Sequence, residues 1–234
     1  MPPLGLRINI DKTEVMGVTK RSEPLPVNIY MEGRRFNQVA SFKYLGSLVS
    51  EDGRCDKEIK ARIGMAKANY GSMRKVLANM SLGIQLRLRI LKSYVWSGLM
   101  YGCENWNISA EMQKRLEAAE MWLLRRMMRI PWTARRTNQE VLQMAGTSRM
   151  LITVIRQRQL RYLGHVLRSD TMEKDCLLGM IEGRRARGRQ RNKYMDGVKA
   201  LVGCREIGEV LRLAQDREQW SYIVANLNIE PATR

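Results

Sequence analysis

The chain has 234 residues and is 44% hydrophobic, enough to build a real core, which excludes global disorder. Lys and Arg number 41 against 23 acidic residues, a net charge of +18 that points to a polyanion partner, nucleic acid before any other. Sixteen Met and five Trp beside only two Phe argue for a helical core with adaptable packing and against a β-sandwich.

Cys55, Cys103, Cys176 and Cys204 are widely separated and form no C-x-x-C pair, so neither a zinc knuckle nor a small disulfide scaffold is expected. The start, Met1-Pro2-Pro3-Leu4-Gly5, lacks a charged region followed by an apolar run, and the most apolar stretch, 84–102, is interrupted by Arg87, Arg89 and Lys92. An intracellular protein, nuclear or cytoplasmic, with no membrane span is the expectation.

Residues 4–19 read as extended segments, with Leu6, Ile8 and Ile10 alternating with polar residues and Glu14–Val18 following. After Pro24 and Pro26, Val27–Met31 and Arg35–Val39 flank Glu32-Gly33-Arg34, a hairpin in which Gly33 supplies positive φ. Phe42-Lys43-Tyr44-Leu45-Gly46 then reads as a strand, with Gly46 marking a bulge or a close backbone approach. Three or four strands with no covering helix make a marginal sheet.

Asp52-Gly53 is a turn, and Asp56 caps a helix over about 56–79. Ile59, Ile63, Ala66, Tyr70, Met73 and Leu77 form its buried stripe; Lys60, Lys67 and Arg74 recur every seventh residue as a basic ridge. Points two turns apart lie about 10 Å from each other and could meet separate phosphates, though an ordinary solvated helix face has the same pattern. A second helix over about 84–100 turns Ile84, Leu88, Leu91, Val95 and Leu99 inward and leaves Arg87, Arg89 and Lys92 outside or at its edge. Ser109 caps a third helix over 110–130, with Met112, Leu116, Ala119, Leu123, Met127 and Ile130 inside, Lys114, Arg125 and Arg129 opposite, and Pro131 as its stop. Met112, Trp122, Met127, Met128 and Trp132 read as core or partner-facing packing and not as a cofactor box.

Thr137 and Glu140 form a capping box for a short helix ending before Gly146. A helix over 149–168 buries Leu151, Ile155, Tyr162, Leu163 and Val166, leaving His165, the only histidine, on the surface with Arg158 and Arg161. Arg184, Arg185, Arg187, Arg189 and Arg191 sit in a glycine-rich exposed loop, 183–191, with general phosphate contact, minor-groove insertion and a solubilising linker as its readings. Helices over 193–202 and 207–226 close the chain. The fold class is α+β, mostly α: small β-hairpins, then helices.

Several of these stretches resemble one family in the same order. Gly5-Leu6-Arg7-Ile8-Asn9-Ile10-Asp11-Lys12-Thr13, Phe42–Gly46, Tyr101-Gly102-Cys103-Glu104-Asn105-Trp106, Arg158–Val166 and Gly183–Asp196 are similar to successive motifs of the non-long-terminal-repeat (LINE-type) retrotransposon reverse transcriptases. Gln190 stands where proline is usual and Tyr194 where tryptophan is usual. The resemblance implies a palm remnant over 1–50, thumb-like helices over 51–130 and a C-terminal helical region over 131–234. It implies a primer grip at Lys43, Tyr44, Leu45 and Gly46, and template–primer contacts, RNA and DNA, at Lys12, Lys60, Lys67, Arg74, Arg125, Arg129 and the five loop arginines.

The family's polymerase chemistry rests on two magnesium ions held by palm aspartates that lie upstream of the first motif. No Asp-Asp pair occurs in this sequence, and Glu51-Asp52 before Gly53 reads as turn chemistry. A truncated copy that binds no metal and does not polymerise is therefore expected, and Lys12, which would lie near the leaving pyrophosphate, reads as a solvated turn lysine. The competing expectation is a helical protein-interaction or RNP-scaffold module with only non-specific nucleic-acid affinity.

Overall fold

A computed structural model describes residues 8–19, 26–180 and 194–227. The chain forms two compact units, residues 1–65 and 66–234. It is α+β and mostly α, as the sequence predicts.

In the first unit the strands are short: β1 Glu14–Val15, β2 Tyr30–Met31, β3 Arg34–Arg35, β4 Asn37–Gln38, β5 Ser41–Tyr44 and β6 Ser47–Ser50. β2 and β3 pair antiparallel about Glu32 and Gly33, both at positive φ, as a two-residue hairpin of this twist requires. β4 pairs with β1 in parallel, so the predicted strand 35–39 divides between two partners. The alternating run before it is not all extended: Ile10–Lys12 is a 3-10 turn capped by the Asn9 side chain, which accepts from the Lys12 amide at 3.1 Å.

β5 and β6 form a hairpin with Ser41 opposite Ser50 and Tyr44 opposite Ser47. Its tip is Leu45-Gly46, at φ 46° and 85°, so Gly46 is a turn residue and not a bulge within a strand. Gly is at home in that region; Leu45 is there at a steric cost of about 1 kcal/mol. Helix α1, Asp56–Ser72, starts after the Asp52-Gly53 turn, where Asp52 accepts from the Ser50 hydroxyl at 2.6 Å and the Arg54 amide at 2.9 Å.

The second unit contains α2 Arg74–Leu77, α3 Ile84–Ile90, α4 Ser97–Leu99, α5 Ala110–Met127, α6 Asn138–Ala145, α7 Leu151–Arg168, α8 Met172–Leu178, α9 Tyr194–Val202, α10 Ile207–Gln215 and α11 Arg217–Ala225. A widened π turn, Leu91–Trp96, joins α3 to α4. The predicted helix 56–79 breaks at Met73, and the helix 110–130 ends at Met127, with Arg129 at φ 55°. The predicted 207–226 helix is two, because the Asp216 side chain accepts from the Glu218 and Gln219 amides and starts α11 afresh. Helix α8 has no counterpart among the sequence expectations.

The predicted inward stripe of α5 is buried at Met112, Leu116, Ala119, Leu123 and Met127, and the helix packs against α6 and α7. A further core joins Leu160, Leu163 and Leu167 of α7 to Met195 and Val198 of α9, Val210 and Ala214 of α10, and Trp220 and Val224 of α11. Tyr162, expected inside, is exposed. Arg87, expected outside, is 4% exposed, because its guanidinium donates to the Leu82 carbonyl at 3.1 Å and the Met127 carbonyl at 2.8 Å. Met127 closes α5, where helical carbonyls lack an intrahelical partner, and Leu82 lies in the turn before α3. Among the described residues no helix is long and apolar enough to cross a membrane.

Candidate nucleic-acid interface

Two helix faces in the second unit bring basic and aromatic residues together. Lys67 and Tyr70 lie one turn apart on α1, and Trp122 and Arg126 one turn apart on α5. Tyr70 meets Trp122 edge-on with ring centroids 5.8 Å apart. Lys67 Nζ lies 5.3 Å and Arg126 Cζ 5.0 Å from the centre of the half-buried Trp122 ring, within the range of cation–π attraction. Burial raises the Tyr70 phenol above its ordinary value, and Arg74, Arg126, Arg87 and Arg129 are close enough to oppose that shift. Lys67, Arg74, Arg126 and Arg129 are exposed, and no carboxylate pairs with any of them among the described residues. Positive charge here is left for solvent or for a ligand.

Beside this cluster, Arg125 donates through Nη2 to the Arg136 carbonyl at 2.7 Å and to Asn138 Oδ1 at 3.1 Å. Its guanidinium carbon lies 5.9 Å from the centre of the Trp132 ring. Trp132, read from sequence as core or partner-facing packing, is not in the core: it is 86% exposed, in a stretch, residues 131–139, that is exposed throughout. Arg129 has a second task, since its Nε donates to the Ala78 carbonyl at 2.8 Å where α2 ends.

Of the predicted contact residues, Lys67, Arg74, Arg125 and Arg129 therefore belong to one basic and aromatic region. Arg74 stands beyond the break at Met73, so the expected continuous ridge is interrupted. Lys60 and Lys12 are exposed in the first unit. Arg184, Arg185, Arg187, Arg189 and Arg191 lie outside the described residues. Arg126 is not among the residues that the sequence singles out, and Trp122 is read there only as packing; the Arg125-Arg126 doublet one turn after a tryptophan is the available signal.

The grip-like hairpin is fixed from within its own unit. Arg62 is buried and donates through Nη2 to the Gly46 carbonyl at 2.6 Å and through Nε to Glu58 at 2.6 Å. Glu58 Oε2 in turn accepts from the Leu48 amide at 2.8 Å, so one buried ion pair holds both the tip and the open edge of β6. Lys43, Tyr44, Leu45 and Gly46 are exposed, and Phe42 and Tyr44 lie on one face with ring centroids 6.3 Å apart.

The segments 101–106 and 158–166, which the sequence sets far apart, dock on each other. Gln159 Nε2 donates to the Cys103 and Trp106 carbonyls at 2.8 Å each, and Arg158 pairs with Glu104 at 2.9 Å. Burial pushes the Cys103 thiol up to about 12, and Cys103, Cys176 and Cys204 are free thiols. Cys103 is thereby an inert core group. A concavity of about 280 Å³ beside this junction is lined by Trp106, Arg156, Gln159 and Tyr194; burial lowers the Arg156 guanidinium and pushes the Tyr194 phenol up to about 12.

Among the described residues no group of three or more His, Cys, Asp or Glu could hold a metal ion. Asp52 is committed to its turn, and its carboxyl is held below the usual range by the Ser50 hydroxyl. The residues described do not fit the two-magnesium arrangement of a polymerase. No protein-family model matches the chain, and no curated protein or solved structure matches it either.

Proposed function

We propose that this chain is a nucleic-acid-holding, non-catalytic portion of a retroelement reverse transcriptase, comprising the end of a palm, a thumb and the helical region downstream. Its role is to grip a template–primer through the phosphate backbone. The observation that supports this most is the cluster of Lys67, Arg74, Arg126 and Arg129 about Tyr70 and Trp122, exposed cations with no acidic partner among the described residues. Phosphate oxygens are the ligand such a cluster accommodates, with positioning and not sequence reading as the outcome. The ordered run of motifs from Gly5 to Asp196 gives the reading its family, and the Arg62–Glu58 clamp gives the grip-like hairpin a fixed shape.

The test is equilibrium binding of an RNA–DNA hybrid over a salt series, followed by primer extension with magnesium and nucleoside triphosphates. The expected result is binding whose affinity falls steeply with salt, about −0.9 in log–log slope for each phosphate neutralised on a duplex, and no extension product. A flat salt response refutes the grip and favours a protein-interaction module; any extension product refutes the non-catalytic reading.

A further inference from the structure

We propose that Trp132 is a stacking platform for an unpaired nucleotide, so that the surface beside α5 binds single-stranded nucleic acid; the inference rests on the nucleic-acid-holding role proposed above and names the form of the ligand. Tryptophan side chains in a folded chain are ordinarily covered, and Trp96, Trp106 and Trp220 are each no more than 3% exposed. Trp132 is 86% exposed. It is presented on a short 3-10 turn, Trp132–Ala134, which closes on Arg135 at φ 47°, a left-handed conformation that is sterically unfavourable for a non-glycine residue.

The surroundings select the ligand. Arg125 lies 5.9 Å from the ring centre, and its guanidinium is oriented by the Arg136 carbonyl and by Asn138. Arg135 and Arg136 flank the ring in sequence, and Arg126 adjoins Arg125 on the helix. Glu140 is the acid at hand, and it is occupied as the capping-box partner of Thr137 and, at 3.3 Å, of Arg136. An apolar protein partner would be matched by more apolar neighbours. A ring among cations instead suits a π-face joined to a phosphate chain, which is what each unit of a single strand offers. A base inside a duplex keeps its faces stacked on its neighbours and cannot use the ring.

The experiment uses the full chain with a short oligothymidylate and, separately, a DNA duplex of the same length. Because Trp96, Trp106 and Trp220 are buried and Trp122 half-buried, solvent-accessible fluorescence reports mainly on Trp132. Oligothymidylate is expected to quench that fluorescence. Trp132→Ala is expected to weaken oligothymidylate binding about 5- to 150-fold, the worth of one lost base stack, with Trp132→Phe restoring most of it and duplex binding changing by no more than about twofold. Wild-type affinity for oligothymidylate in Trp132→Ala, or binding without quenching, overturns the platform while leaving a salt-sensitive duplex grip standing. Binding of neither probe overturns both readings together.

Discussion

The indole of Trp220 occupies the space that a side chain at Gly164 would need. A Cβ built on Gly164 would lie 2.2 Å from Trp220 Nε1, and that same nitrogen donates to the Leu160 carbonyl at 2.9 Å. Helix α11 thus lies against α7 through the one residue of its turn that has no side chain, and the glycine in Arg158–Val166 has a packing reason.

Replacing Gly164 by Ala forces the indole away from the helix. The gain in helix propensity, about 1 kcal/mol, is outweighed by overpacking and by the loss of a buried hydrogen bond. A net loss of about 1–3 kcal/mol is expected, read as a melting temperature lower by roughly 2–10 °C for a unit of this size. An unchanged melting temperature would mean that α11 does not pack here.

Arg62 is predicted to hold the grip-like hairpin. Arg62→Leu strands the buried Glu58 carboxylate and leaves the Gly46 carbonyl without its donor. Breaking one side of such a pair costs about 3–5 kcal/mol. Hydrogen exchange of the amides of residues 43–48 should accelerate strongly in the variant; protection equal to wild type would show that the hairpin stands without the clamp.

Glu120 gives the second unit a pH dependence of definite sign. Burial is the main cause that raises its carboxyl above the ordinary 4.5, while the Met150 and Leu151 amides that it accepts and the nearby Arg149 pull the other way; Glu117 adds to the rise. A folded-state value above the unfolded one means the folded chain holds the proton longer, so this group's contribution is complete below about 4.5 and is lost as pH rises through the raised value. Glu120→Gln keeps an acceptor for the start of α7 and removes the titration. Denaturant stability measured from pH 4 to 8 should fall more in wild type than in the variant; parallel curves would contradict the assignment.

Helix stripes were legible where burial follows local periodicity, as at Met112, Leu116, Leu123 and Met127. So were caps whose partners lie within a turn, such as Ser109 to Met112 and Thr137 with Glu140. What sequence reasoning missed depended on distant partners. Arg87 is drawn inside by a carbonyl 40 residues away, and Gln159 is buried because segment 103–106 presents carbonyls to it. For Trp132 residue type alone leaves core and partner-facing packing open, because it cannot tell a covered tryptophan from a displayed one; the 86% exposure removes the first. The same limit hid Arg126, whose significance comes from a tryptophan ring and a lysine on another helix.

The proposed role of the exposed cations around Trp122 is to neutralise phosphates. The most direct measurement is the salt dependence of RNA–DNA hybrid binding by the wild-type chain and by a variant carrying Lys67→Gln, Arg74→Gln and Arg126→Gln, with circular dichroism to establish equal folding. A steep wild-type slope is expected and a shallower one in the variant, smaller by about 0.9 for each of the three contacts removed. Equal slopes in the two proteins would contradict it.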